Sequence, residues 1–307
     1  MGLPIDLLAP LRKVVASNLE AAFTADRFPQ EQYTDPPGDP GLFGPDSVTW
    51  KVHGHPSAMI GGFSSLMLQS LHPLAMAGVA EHSDYRSDPF GRLSRTASFV
   101  AGTTYASTEV AESMIATVRK VHRHVKGIAP DGRPYAATQP DLLRWVHVAE
   151  MTSILNSHRR YHPFPVRGAD LDRYFDETAI VAEKLGGRDI PRSRAEVREY
   201  LHDIRSELVC GEQAQEAMVF LMNPIGDDPI SRGISILLMQ AAVDLMPGWA
   251  KRLHGIRRPP GFDAFTIRPA AFAFIATLDA VGGTPIARTQ AEARAVARPT
   301  TRSAFAG

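Results

Sequence analysis

The sequence predicts an all-α protein, and three observations carry that prediction. Apolar residues recur at three- and four-residue spacing through most of the 307 positions. Few stretches alternate with period two, and no strand, helix, strand repeat appears. Prolines, glycines and a Ser-x-x-Glu box stand at the ends of the periodic segments, where helices start and stop.

Taken in order, Leu7 to Ala22 has the pattern of an amphipathic helix. Phe28 to Pro45, rich in Pro, Gly and Asp, must be an extended arm lying on the domain, because the segment before it is too short to own a core. Val48 to Val52 suits either a strand-like piece or a helix start. Gly61 to Val79 is apolar nearly all round, as a helix buried mid-fold would be, and Pro73 should bend or interrupt it. Pro89 to Tyr105 is helical and places Arg92, Arg95 and Thr96 on one face. Glu109 to Val125 follows, with Gly127 as its cap. Pro140 can initiate the helix through Asp141 to Leu155. Asp170 to Leu185 ends on Gly186 and Gly187, and Ser193 to Val209 opens with the box formed by Ser193 and Glu196. Ile234 to Leu245 and Phe265 to Val281 complete the helices. The expected organisation is an N-terminal helix and arm over 1–46, a helical domain over 47–285 and a flexible tail over 286–307.

Composition narrows the function. Basic and acidic residues balance at 33 each, so no global field favours nucleic acid. The one cysteine, Cys210, excludes an internal disulfide and any cysteine-based zinc or iron–sulfur site, and its apolar setting reads as packing. No apolar run reaches the length of a membrane span, and no basic leader precedes an apolar stretch at the N-terminus, so the expected compartment is the cytoplasm.

His147 sits on a stripe with Leu143, Val146, Met151 and Ile154, and an imidazole in that position needs a partner. A backbone carbonyl or carboxylate is one; a metal or haem iron is the other. Haem also needs cations or hydroxyls for its propionates and an apolar wall. Arg92, Arg95 and Arg144 supply cations, His122 is a packed or propionate-facing residue, and Gly61 to Val79 supplies wall. Against haem stands a carboxylate-bridged di-iron site: Glu199 and His202 have the Glu-x-x-His spacing. That motif occurs once where two are needed, so a solvent-facing pair is the simpler reading. His53 and His55 could share a metal only on an extended segment, and His55 is expected at the surface. No Gly-x-Ser-x-Gly elbow, phosphate-binding loop or dinucleotide fingerprint is present.

Several motifs in register resemble one family. SLMLQSLHPLAMAGVAEHS, DPFGRLSRT, VHRHVKG, PDLLRWVHVAEMTSIL, YFDETAIVAEKLGG and IPRSRAEVREYL, between about Trp50 and Leu201, are similar to the MpaB-type oxygenases, related to the catalytic domain of the rubber oxygenases (latex clearing proteins). The resemblance implies a globin-related helical domain carrying haem b. It maps the proximal ligand to His147 in an Arg-x-x-His helix with Arg144, and an Arg-x-x-Lys-Thr helix to Arg92, Arg95 and Thr96. Arg95 departs from that pattern, because a guanidinium stays protonated and cannot ligate iron. The glutamate base of rubber cleavage has only Glu81 as its nearest acidic counterpart.

The expectation is a haem-dependent oxygenase that uses O2 or peroxide and an electron donor of unknown kind on an apolar organic molecule, with cleavage of a carbon–carbon double bond as one outcome. Thr96 and Arg95 would donate to the bound oxygen; Arg92 and Arg144 would hold propionates. Non-catalytic binding or sensing of haem or lipid is the alternative, and a helical interaction protein without cofactor is a third.

Overall fold

The computed structural model describes residues 31–226, 228–282 and 285–297. The helix expected over Leu7 to Ala22 lies outside the described residues. Fourteen α-helices and one two-stranded hairpin are present among the described residues, so the all-α class holds.

The arm begins with a short helix, α1 (Glu31–Thr34), and runs through glycine turns to α2 (Val48–His53). Ser47 caps α2, accepting the Trp50 N–H at 3.1 Å, which resolves that segment as helix. The apolar stretch predicted to bend at Pro73 forms two helices, α3 (Ala58–Gln69) and α4 (Pro73–His82). Pro73 opens the second, where its missing N–H costs nothing. Next come α5 (Pro89–Tyr105) and α6 (Thr108–His122). The Asp88 carboxylate accepts the Gly91 N–H at 2.8 Å at the start of α5.

Gly127 does not cap α6. It lies in β1 (Lys126–Ile128), opposite Tyr135 of β2 (Pro134–Ala136). A Cβ there would sit 2.7 Å from the Tyr135 hydroxyl, so glycine serves close packing.

The longest helix, α7 (Pro140–Tyr161), carries His147 and is followed by α8 (Asp170–Leu185). Gly186 ends α8 with φ 109°, a left-handed position that few other residues adopt. Ser193 caps α9 (Arg194–Asp203), accepting the Glu196 N–H at 3.2 Å, while the Glu196 carboxylate accepts the Arg192 N–H at 2.6 Å. The helical path expected to Val209 ends earlier, in a 3-10 turn over Ile204–Glu207.

Besides the short α1, the sequence reading missed α10 (Glu212–Met222) and α12 (Gly248–Leu253), which flank α11 (Pro229–Leu245). A π-helical turn over Asp263–Ile267 leads into α13 (Arg268–Gly282). The described start of the tail expected to be flexible forms α14 (Ile286–Val296). Arg294 on it is 2% exposed and donates to the carbonyls of Tyr33, Asp39 and Ala106, so it clasps the arm to the end of α5.

The core centres on α3 packed lengthwise against α7, with α11 across α3. Gly61 makes that approach possible: a Cβ would stand 2.5 Å from the Ile154 Cα. Ile60, Met67, Leu68, Trp145, Val148 and Leu155 fill the seam. At its edge Asp244, with a side chain 1% exposed, receives Arg160 and Arg268 and so ties α7, α11 and α13 together. Among the described residues no helix is long and apolar enough to cross a membrane.

Candidate functional site

Between the α3–α7 layer and the α5–α6 pair lies a cavity of about 1180 Å³. Its walls are mainly apolar. Phe63 and Leu66 of α3, Leu74 and Val79 of α4, Phe99 of α5, Val118 and Val121 of α6, and Val181 and Leu185 of α8 contribute. Tyr33, Phe43, Leu278 and Pro285 reach the cavity from the arm and from the C-terminal part of the chain. The volume exceeds what one drug-sized ligand fills.

The whole predicted stripe of α7 faces this space. Leu143, Val146, His147, Met151 and Ile154 all line it, together with Glu150. The opposite face, Trp145, Val148 and Ala149, enters the core. His147 is 9% exposed, and its ring makes no hydrogen bond to any described residue. Burial pushes its pKa down to about 4, so near neutral pH it is an uncharged imidazole with a lone pair available.

Glu150, one turn along, was missed in the sequence because a glutamate inside an apolar helix reads as surface charge. Its carboxyl meets the cavity and finds no hydrogen-bond partner among the described residues; burial raises its pKa to about 7. His53, from the end of α2, completes this side. Its Nδ1 lies 2.9 Å from the Thr104 hydroxyl and its Nε2 2.9 Å from the Tyr174 hydroxyl. Both nitrogens are therefore occupied, and His53 is no iron ligand.

Across the cavity, α5 brings Arg92, Arg95 and Thr96 to the wall as its spacing predicted. Their roles separate there. Arg92 donates to the Ser83 hydroxyl at 2.7 Å, and burial, with Arg95 nearby, lowers its pKa. Arg95 turns to the rim, where its Nη1 meets Asp88 at 3.3 Å and its side chain is 54% exposed. The Thr96 hydroxyl donates to the Arg92 carbonyl at 3.2 Å and must rotate before it can donate to a ligand. His122, the last residue of α6, also lines the cavity, with its pKa lowered by burial.

Arg144 is not at the cavity. Standing three residues before His147 rotates it about 60° around the helix, and its guanidinium pairs with Asp141 at 2.6 Å and lies 5.2 Å above the Tyr200 ring. Arg144 is therefore not placed to meet a propionate in the cavity, contrary to expectation. Glu81 is likewise elsewhere, bonded to the Tyr135 hydroxyl. His55, expected at the surface, is 5% exposed and packs 4.3 Å from the His162 ring, with His158 5.6 Å away. Backbone N–H groups donate to Nδ1 of both His55 and His162, which leaves the proton on Nε2 of each and disfavours metal binding there. Glu199 and His202 point to solvent, and among the described residues no group of three or more His, Cys, Asp or Glu side chains is placed to hold a metal ion. The di-iron alternative has no second half. Cys210 lies 3.3 Å from His254 Nδ1, and burial raises its pKa, so it remains a thiol.

Comparison with known proteins gives a match to the family described as ER-bound oxygenase mpaB/B′/rubber oxygenase, catalytic domain, over residues 50–278. The chain belongs to this family. It is thus a member of an oxygenase family, and the matched segment runs from α2 to α13, enclosing His147, Glu150 and the α5 arginines. No curated protein and no solved structure matches the chain. The cavity brings together the His147 imidazole, which has no hydrogen-bond partner among the described residues, mainly apolar walls, and a half-buried arginine, Arg92, on the far side.

Proposed function

We propose that the protein is a haem b-dependent oxygenase acting on an apolar organic substrate, with oxidative cleavage of a carbon–carbon double bond as the reaction class. The observation that carries this reading is the His147 imidazole, neutral and without a hydrogen-bond partner, facing a large apolar cavity in an oxygenase-family chain. Bound haem supplies the activation of O2 or peroxide.

The chain supplies the rest. His147 would hold the iron through a ring nitrogen. Arg92, with Nη1 on Ser83 and its other donors available, pairs with a propionate, and His122 is a second polar group on that side. With the group bound, the Thr96 hydroxyl would be free to turn from the Arg92 carbonyl and donate into the cavity, and Arg95 at the rim would add positive charge on that side. Phe63, Phe99 and Val181 hold the substrate's hydrocarbon and exclude water. Arg95 is drawn out to Asp88 at the rim and does not block the cavity, so it lends no support to the non-catalytic binding or sensing alternative.

The test is spectroscopic. Protein mixed with haem should show a Soret band that shifts when carbon monoxide is added to the reduced form, and His147→Ala should abolish that ligation spectrum. An identical spectrum in His147→Ala removes the ligand assignment.

A further inference from the structure

Behind the cavity wall, Tyr174 is fully buried, and its hydroxyl lies 2.9 Å from His53 Nε2. The direction of that hydrogen bond follows from its neighbours. The Thr104 hydroxyl lies 2.6 Å from the Val100 carbonyl, an acceptor only, so the threonine proton points there. His53 Nδ1 must then donate to the Thr104 oxygen, which leaves Nε2 bare to accept the Tyr174 proton. Tyr174 is therefore a phenol that already gives its proton to a neutral base. The Met151 sulfur is 3.4 Å from the same hydroxyl oxygen, and Met151 lines the cavity, so a polarizable side chain connects the phenol to the space beside His147.

We infer that Tyr174 is a one-electron donor to the bound haem, with His53 as its proton acceptor and Met151 as the contact between them; this rests on the haem reading above. Hydrogen peroxide would take two electrons from the bound haem group, releasing one oxygen as water and leaving the other there, so that two oxidising equivalents remain to be filled. When no organic substrate is present to be oxidised, Tyr174 fills one equivalent with an electron. Its hydroxyl proton moves to His53 Nε2, leaving a neutral phenoxyl radical and an imidazolium. Return of an electron from an external one-electron reductant brings the proton back to the phenol. The separation lies within the range for direct proton transfer.

Other tyrosines near the cavity lack this arrangement. Tyr105 donates to the Trp50 carbonyl at 3.1 Å, and a carbonyl cannot keep the proton. Tyr135, on the cavity wall at the hairpin, donates to the Glu81 carboxylate rather than to an imidazole and serves as the control.

The experiment freezes haem-loaded protein shortly after hydrogen peroxide is added and records its electron paramagnetic resonance spectrum and the rate of Soret bleaching. The wild type should give a neutral tyrosyl signal, Tyr174→Phe should lose it and bleach faster, and Tyr135→Phe should keep it. Should Tyr174→Phe fail to fold, His53→Gln keeps the phenol but removes the base, and a reduced signal with an altered hydrogen-bond signature is expected. Undiminished signal in Tyr174→Phe, an unaltered one in His53→Gln, or none in the wild type overturns the inference. A missing Soret band overturns the haem reading and this inference with it; a normal Soret band with any of those three results overturns this inference alone.

Discussion

Glu150 and His147 stand one turn apart on α7, and burial drives both toward their uncharged forms: the acid to about 7, the base to about 4. The glutamate has a checkable consequence. Its folded-state pKa lies above its ordinary value, so the folded protein holds a proton that the unfolded chain releases, and stability falls as pH rises from about 4.5 toward 7. Glu150→Gln removes that penalty. The substitution should raise stability by about 1–2 kcal/mol at pH 8 and have little effect at pH 5. Urea unfolding at the two pH values measures it, and an equal effect at both would show that the carboxyl is solvated. At the same scale, His147→Ala should cost haem ligation.

The α3–α7 pair is the element on which the cavity is hung. Gly61→Ala would drive a methyl group to 2.5 Å from the Ile154 Cα, a backbone atom that cannot step aside. The expected loss is about 1–3 kcal/mol, read as a lower thermal midpoint; an unchanged midpoint would mean that the helices separate freely. Much of this layer was legible in the sequence, since the α7 stripe, the break at Pro73, the caps at Gly186 and Ser193 and the face shared by Arg92, Arg95 and Thr96 are all local patterns. What stayed hidden depends on how elements meet. Arg144 shares a helix with His147, but only the neighbouring Tyr200 and Asp141 reveal that it turns away. Glu150 looks like surface charge until the fold turns it onto the cavity wall. The alanine-rich segment of α14 looked like a loose end because nothing local shows that Arg294 finds three carbonyls far back in the chain.

Across the whole molecule, buried histidines set the response to acid. His53, His55 and His147 are pushed down to about 4 and His158 to about 3, all chiefly by burial. Each folded-state pKa lies below the ordinary 6.5. The contribution of these groups is therefore fully present above about pH 6.5 and is lost as pH falls toward 4. Unfolding free energy should drop by on the order of a few kcal/mol between pH 7 and pH 5, as denaturant titrations would show; a flat profile would mean that the rings are already charged or solvated in the fold. Asp244 responds lower on the scale. Burial raises its pKa, but Arg268 and Arg160 outweigh burial and hold it below the usual value, so its contribution persists until pH falls through that lowered pKa. The Arg294 clasp bears on how the gene product can be shortened. Tyr33, Phe43 and Pro285 lie outside the matched span of 50–278 yet form part of the cavity wall. A version trimmed to that span should keep its helical circular dichroism but leave one end of the chamber unsealed, so that haem is lost faster to a scavenger such as apomyoglobin. Equal loss rates from the full and the trimmed chain would show that the two ends contribute nothing to retention.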